Sequence, residues 1–452
     1  MLNKNKAKKC LFSFRDAGAV AWVFLDERRP YVDLDTLQLT RGAQVIISGS
    51  TKNVLNISRV NDDGSSFLYT SSAKILYVRQ RLGPCTILYN ASSLVLESDK
   101  STAFKVDRTV NVFGDFEVYG SPLLSLGQNG EAFKVFPLSA VNNIFVGGLT
   151  LGTSGVFRLY SARAETVCLW NVNGTTSSQF KFLRGSSFHV HCPVYLHGSV
   201  LSIEQDSELV FYGVGRSVIS LEHAVIKGSL KASSLEFEKT RWKSLAIYPR
   251  ASLSFYTYDR VLNITNSISI DGVLNANKQL LIYTTDFNLG YTGRLVWNGT
   301  EVAKLEAENV FINSRFIADQ KTIGRGWKTL TIGPKGKLSF NFSLHGEIKV
   351  DELVVQGKLV IEGPTTIRGF SRNTTQLISI AEGASVEINT KQSNLNSSDE
   401  LTNATVLAES VIVNGIWSLK NLKISQGWKS LTVGSKGKFS FDANGDFPVG
   451  KL

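Results

Sequence analysis

Apolar and polar residues alternate in short runs along most of the chain, and glycine or small polar residues separate the runs. One form, small-x-apolar-x-apolar, appears in RGAQVII at 41–47, TSGVFRL at 153–159 and QDSELVF at 205–211. It returns in PRASLSF, PKGKLSF, EGASVEI and SKGKFSF between 249 and 441. A second form, apolar-x-apolar-x-Gly-x-apolar, appears in VNVFGDF at 110–116, VYLHGSV at 194–200, LVVQGKL at 353–359 and VIVNGIW at 411–417. Period-two alternation of Val, Ile, Phe and Leu predicts half-buried strands. No stretch carries the i, i+3, i+4 period of an amphipathic helix.

The pattern is also repeated on a longer scale. WKSLAIYPRASLSF at 242–255, WKTLTIGPKGKLSF at 327–340 and WKSLTVGSKGKFSF at 428–441 align without gaps, at offsets of 85 and 101 residues. Upstream, AENVFIN at 307–313 matches AESVIVN at 408–414. Downstream, Ile268, Ile270, Gly272 and Leu274 match Leu353, Val355, Gly357 and Leu359. A propeller needs blades of nearly constant length, which these offsets do not provide. Stacked rungs of roughly 20 residues do fit, with offsets of about four and five rungs, so one added rung would explain the difference. The sequence therefore predicts an all-β fold, a parallel β-helix or β-solenoid; the alternative is a string of tandem β-sandwich domains of ~85–100 residues. Residues 1–30 read as an atypical N-terminal segment, 31–220 as divergent rungs and 221–452 as the imperfect repeat. The third copy stops before its downstream strand and the start lacks an efficient signal peptide, so both ends are expected to be cut.

In these Gly-turn strand units, which cover most of residues 30–452, the chain resembles the broad class of extracellular β-solenoid surface and matrix proteins. The resemblance is architectural and implies no particular residue roles.

Composition adds a compartment and a charge. With 43% apolar residues the chain is too hydrophobic for disorder, and its 4 cysteines are too few for a disulfide scaffold. Cys10, Cys85, Cys168 and Cys192 allow three pairings or none. No apolar run approaches the ~18 residues of a membrane span, so membrane attachment would need flanking regions. Only 9 prolines occur, as ladders that can spare no N–H require. Nine Asn-x-Ser/Thr sequons, at Asn56, Asn90, Asn173, Asn263, Asn298, Asn341, Asn373, Asn396 and Asn403, exceed the about five expected by chance and point to an extracellular or cell-surface glycoprotein. The formal net charge of +11 suggests anionic partners. Nucleic acid is not favoured, because no basic run interleaves with several aromatics.

Three constellations could carry chemistry. His189, His191 and His197, beside Cys192, share strand parity and could ligate zinc or copper, but no acidic third ligand is near and two solvent-facing strand histidines are the simpler reading. Carboxylates at Asp62-Asp63, Asp351-Glu352 and Asp399-Glu400 could serve a β-helix polysaccharide lyase or glycoside hydrolase, yet all sit beside turn residues. Finally, Trp242, Trp327 with Lys328, and Trp428 with Lys429 recur, followed by Lys335 with Lys337 and Lys436 with Lys438. Regular alternation from Leu330 and Ile332 would place Trp327 outward, where an indole beside lysines could bind an anionic glycan. The competing reading has each Trp closing a corner between rungs, with the lysines as solvated turn residues. There is no phosphate loop, dinucleotide motif or GxSxG nucleophile turn, and no cofactor is expected. Taken together, the residues read as a non-enzymatic structural or adhesive β-rod for extracellular proteins or anionic glycans.

Overall fold

The computed structural model describes the strand residues between 11 and 171 together with Arg28, and residues 179–442 apart from 191–193, 198, 213–216, 233–234, 238–241, 257–259, 277–279, 298–303, 344, 391–403, 421 and 424–427. The chain forms two units, Met1–Glu238 with Leu253–Tyr256, and Lys239–Ser252 with Thr257–Leu452. Among the described residues every strand pairing within a unit is parallel, with partners roughly one coil apart in sequence. Sandwich strands would pair antiparallel. Each unit is a parallel β-solenoid.

In the first unit, Gln179–Phe182, Val200–Ile203 and His223–Ile226 stack in register. Phe180, Leu201 and Ala224 form one buried column, and Phe182, Ile203 and Ile226 the next. Alternation dictates this, because residues two apart point to the same face and the parallel register places equivalent residues above one another.

The second unit carries nine strands in one ladder: β1 (Ser244–Ile247), β2 (Ser267–Ile270), β3 (Leu280–Leu289), β4 (Lys304–Ile312), β5 (Trp327–Ile332), β6 (Gly346–Val355), β7 (Thr375–Ile380), β8 (Ala408–Val413) and β9 (Ser430–Val433). A second ladder runs through Arg315–Ala318, Lys337–Asn341, Lys358–Glu362, Ser385–Asn389, Ile416–Lys420 and Lys438–Asp442. Between the ladders lie buried columns such as Ile268–Phe287–Val310–Leu330–Leu353 and Leu338–Leu359–Val386–Trp417. Each such side chain contributes roughly 1.5–3 kcal/mol by leaving water. The single helix among the described residues is one turn, Gln320–Ile323, with Asp319 and Thr322 forming a capping box.

The register corrects the rung count. From Leu245 the ladder steps to Ile268, Phe287, Val310 and Leu330, at intervals of 23, 19, 23 and 20 residues. From Leu330 it steps to Leu353, Ile378, Val411 and Leu431, at intervals of 23, 25, 33 and 20. The offsets of 85 and 101 are therefore both four coils. The 16 additional residues lengthen the second and third steps and add no rung.

The turns after this ladder come in two kinds, and they alternate. Long turns, at 248–251, 290–293, 333–336, 381–384 and 434–437, are each closed by a hydrogen bond from the fourth residue's N–H to the first residue's carbonyl, at 2.8–3.1 Å. Short turns of two residues lie between them, at 271–272, 313–314, 356–357 and 414–415. In the second unit the two sequence forms described above separate accordingly: PRASLSF, PKGKLSF, EGASVEI and SKGKFSF follow long turns, and LVVQGKL and VIVNGIW run through short ones. The second residue of a short turn is glycine at 272, 357 and 415, where proximity enforces it, and serine at 314. A Cβ on Gly357 would lie 2.3 Å from the Gly336 carbonyl oxygen and 2.4 Å from that of Gly333, the two ends of the long turn beneath it.

Candidate functional site

The repeated tryptophans do not reach the surface. Trp242, Trp327 and Trp428 are all at most 2% exposed. Alternation breaks just after them: in β5 both Lys328 and Thr329 face outward before Leu330 turns in, and β4 does the same at Glu308 and Asn309. The bend flips the parity and drives the indole into the core. Trp327 Nε1 donates to the Leu305 carbonyl at 3.3 Å, and Trp428 Nε1 to that of Val406 at 3.1 Å. The Trp428 ring also stacks on Trp417 at 5.6 Å. These indoles close a corner between coils and cannot stack on a sugar, which corrects the outward placement derived from regular alternation.

The lysines are exposed but do not converge. Lys335 lies over the Tyr291 ring, 4.0 Å from its centroid, reaching from one long turn to the preceding one. Lys436 makes the equivalent reach to Glu382. Lys429 pairs with Glu409 at 3.2 Å, and this cation holds the Glu409 carboxyl below the ordinary glutamate value. Lys328, Lys337 and Lys438 are exposed. The turns of Lys335 and Lys436 are four coils apart, or ~19 Å at the spacing of paired strands, too far for one sulfate.

His189 is half-buried, with both ring nitrogens engaged. Nδ1 lies 3.2 Å from the Tyr212 hydroxyl, against whose ring it stacks, and Nε2 lies 3.2 Å from Glu208 Oε1, with Ser187 Oγ also in reach. His191 and the side chain of His197 lie outside the described residues. Among the described residues no three His, Cys, Asp or Glu side chains gather as a metal site. Of the sequons, Asn341 and Asn373 are exposed and Asn263 is half-buried in a strand. Asn173, Asn298, Asn396 and Asn403, and the side chains of Asn56 and Asn90, lie outside the described residues. Asp351 sits mid-strand in β6, not beside a turn. It is 5% exposed, and its carboxylate accepts from the Ser371 N–H at 2.8 Å and from the Ser371 hydroxyl. Asp62 belongs to a strand, but its side chain lies outside the described residues, as do Asp63, Asp399 and Glu400.

The arrangement that sequence reasoning missed is a groove on the outward face of β3, β4 and β5, with a volume of about 240 Å³. The outward residues at the bend, Asp286, Asn309 and Thr329, stand one above another in register. Thr329 Oγ1 donates to Asn309 Oδ1 at 2.9 Å, and Asn309 Nδ2 donates to Asp286 Oδ1 at 2.8 Å. The next outward row is Asn288, Phe311 and Thr331. Asn288 Nδ2 donates to Ser269 Oγ at 3.4 Å, while its Oδ1 is buried without a partner. The Phe311 ring leans over the following coil, where a Cβ on Gly333 would come within 2.8 Å of its tip. The groove thus pairs a row of hydrogen-bonding groups with one aromatic face. Its residues lie on three coils, 20–23 positions apart, so no local motif announces it.

Compared with known proteins, the chain matches no family model, no curated protein and no solved structure. Among the described residues no helix is long and apolar enough to cross a membrane.

Proposed function

We propose that the chain is a non-enzymatic, extracellular structural or adhesive repeat protein, whose solenoid coils present side chains to protein or glycan partners at a cell surface or in a matrix. The observation that carries this reading is the register of the outward positions: residues 19–25 apart in sequence line up over most of the coils, so one continuous face is displayed. Such a face suits a binding partner that extends along the stack, because contacts weak singly add across coils. The nine sequons, two of them at exposed positions among the described residues, support an extracellular setting.

Two measurements test it. Purified protein incubated with anionic polysaccharides should release no new chain ends; cleavage abolished by substituting carboxylates would replace this reading with a β-helix lyase or hydrolase. On a heparin column, Lys335, Lys337, Lys436 and Lys438 changed together to Gln should lower the eluting salt concentration. Unchanged elution would remove these lysines as an anionic-glycan surface.

A further inference from the structure

The geometry points to the groove over β3, β4 and β5 as a binding site for an uncharged sugar ring, a neutral hexose unit of a glycan. This inference rests on the reading of the chain as a binding surface and names the ligand class of one part of it. Three observations carry it. The groove offers hydrogen-bonding capacity of acceptor type: the exposed carboxylate of Asp286 engages Asn309 through Oδ1. A polyol supplies the donors that a carboxylate accepts. Phe311 lies beside them, and an aromatic face next to planar amide and carboxylate groups matches a pyranose, whose C–H face is apolar and whose rim is hydroxylated. The volume of about 240 Å³ falls below the ~300 Å³ at which pockets begin to enclose drug-sized ligands, so it suits one ring.

The charge around it selects the class. Asp286 lies in the groove, Glu308 is exposed one residue before Asn309, and Glu352 is exposed one coil beyond Thr329. Lys328, exposed at the same bend, is a cation outside the groove lining. A sulfate or uronate would meet these carboxylates and be repelled by like charge, whereas a neutral ring would not.

The same fold positions four coils later show that the solenoid does not need this chemistry. Asp286, Asn288, Asn309, Phe311 and Thr329 correspond there to Leu377, Ser379, Ser410, Ile412 and Ser430. Both copies fold through the same ladder, so the carboxylate, the two amides and the aromatic ring are additions to it.

The test is calorimetric titration of the full chain with neutral hexose oligomers (cellohexaose, laminarihexaose and mannohexaose) beside a heparin hexasaccharide. At least one neutral oligomer should bind saturably. Phe311→Ala should weaken that binding at least tenfold, and Thr331→Val, which keeps the side-chain shape, severalfold, while Ile412→Ala at the equivalent position leaves it unchanged. Circular dichroism melting identifies a Phe311→Ala that fails to fold, in which case Thr331→Val decides. The inference is overturned if no neutral oligomer binds at millimolar concentration, if both groove variants bind like the parent, or if the heparin fragment competes at the groove more tightly than the neutral sugars. Failure here leaves the broader reading to its own tests, since the lysine turns and the polysaccharide-turnover assay do not involve the groove.

Discussion

Replacing Gly357 by Ala tests the stacking of short turns on long ones. The added Cβ would sit 2.3 Å from Gly336 O and 2.4 Å from Gly333 O, and 3.2 Å from the Gly336 carbonyl carbon. All three neighbours are backbone, so no side chain can swing away, and relief to ordinary contact requires a shift approaching 1 Å. Two hydrogen bonds stand in the way of that shift: the long turn's own closure from Gly336 N to Gly333 O at 2.8 Å, and the ladder bond from Lys358 N to Gly336 O at 2.9 Å. Overpacking costs about 1–3 kcal/mol and each of the two weakened backbone bonds about 1 kcal/mol, so a total near 3–5 kcal/mol is expected. Gly383→Ala is the control. Its φ is +78°, but nothing lies within 4 Å of its added Cβ, so only left-handed strain of about 1–2 kcal/mol applies. Urea unfolding of both variants, with amide exchange of residues 333–358 to localise the damage, gives the comparison. The reasoning fails if Gly357→Ala is no more destabilising than Gly383→Ala, or if exchange around 333–336 is unchanged.

Other outcomes follow from the same packing. Trp327→Ala should cost about 3–5 kcal/mol in urea unfolding, since it empties a fully buried site and strands the Leu305 carbonyl; a loss below about 1 kcal/mol would refute the corner-closing role. Asp351→Ala should cost about 1–3 kcal/mol by orphaning the Ser371 N–H, and should speed proteolysis within 369–374; resistance equal to the parent would show that the carboxylate does not hold that loop. Burial raises the Glu347 carboxyl, but Arg368 and Lys349 outweigh it and hold the group below the ordinary 4.5. A depressed value stabilises the fold above pH 4.5 and loses that contribution as pH falls through the folded value, so Glu347→Gln should flatten the acid limb of stability. With the partners about one-third exposed, the effect should be below about 1 kcal/mol, and an acid limb as steep as the parent's would rule it out.

The solenoid was legible because its inward residues obey a period of two, and in the second unit the two glycine patterns mark two kinds of turn. What the sequence could not show is where the extra 16 residues of the longer repeat lie. Separation along the chain gives a total, and only pairing assigns 10 of them to the step from Ile378 to Val411 by comparison with the 23-residue step from Phe287 to Val310. The tryptophans were misplaced for a local reason: two successive outward residues at a bend are indistinguishable from an ordinary strand when only spacing is known. The groove was invisible for the opposite reason, since Asp286, Asn309 and Thr329 meet through the register and carry no local signature.

Turn alternation also bears on how such a chain can change length. Gly228 in the first unit sits on a long turn as Gly357 does, 2.2 Å and 2.5 Å from the Ser207 and Glu204 carbonyls as a Cβ would measure it. In that unit two long turns, at 183–186 and 204–207, lie directly against each other, using left-handed Gly185 and Asp206. A coil with a short turn can thus be dropped and leave two long turns in contact, whereas dropping the long turn beneath Gly272, Gly357 or Gly415 leaves that glycine without the carbonyls it is shaped for. Duplication that preserves every contact must copy a long and a short coil together, a unit of 42 or 43 residues from Leu245 to Phe287 to Leu330.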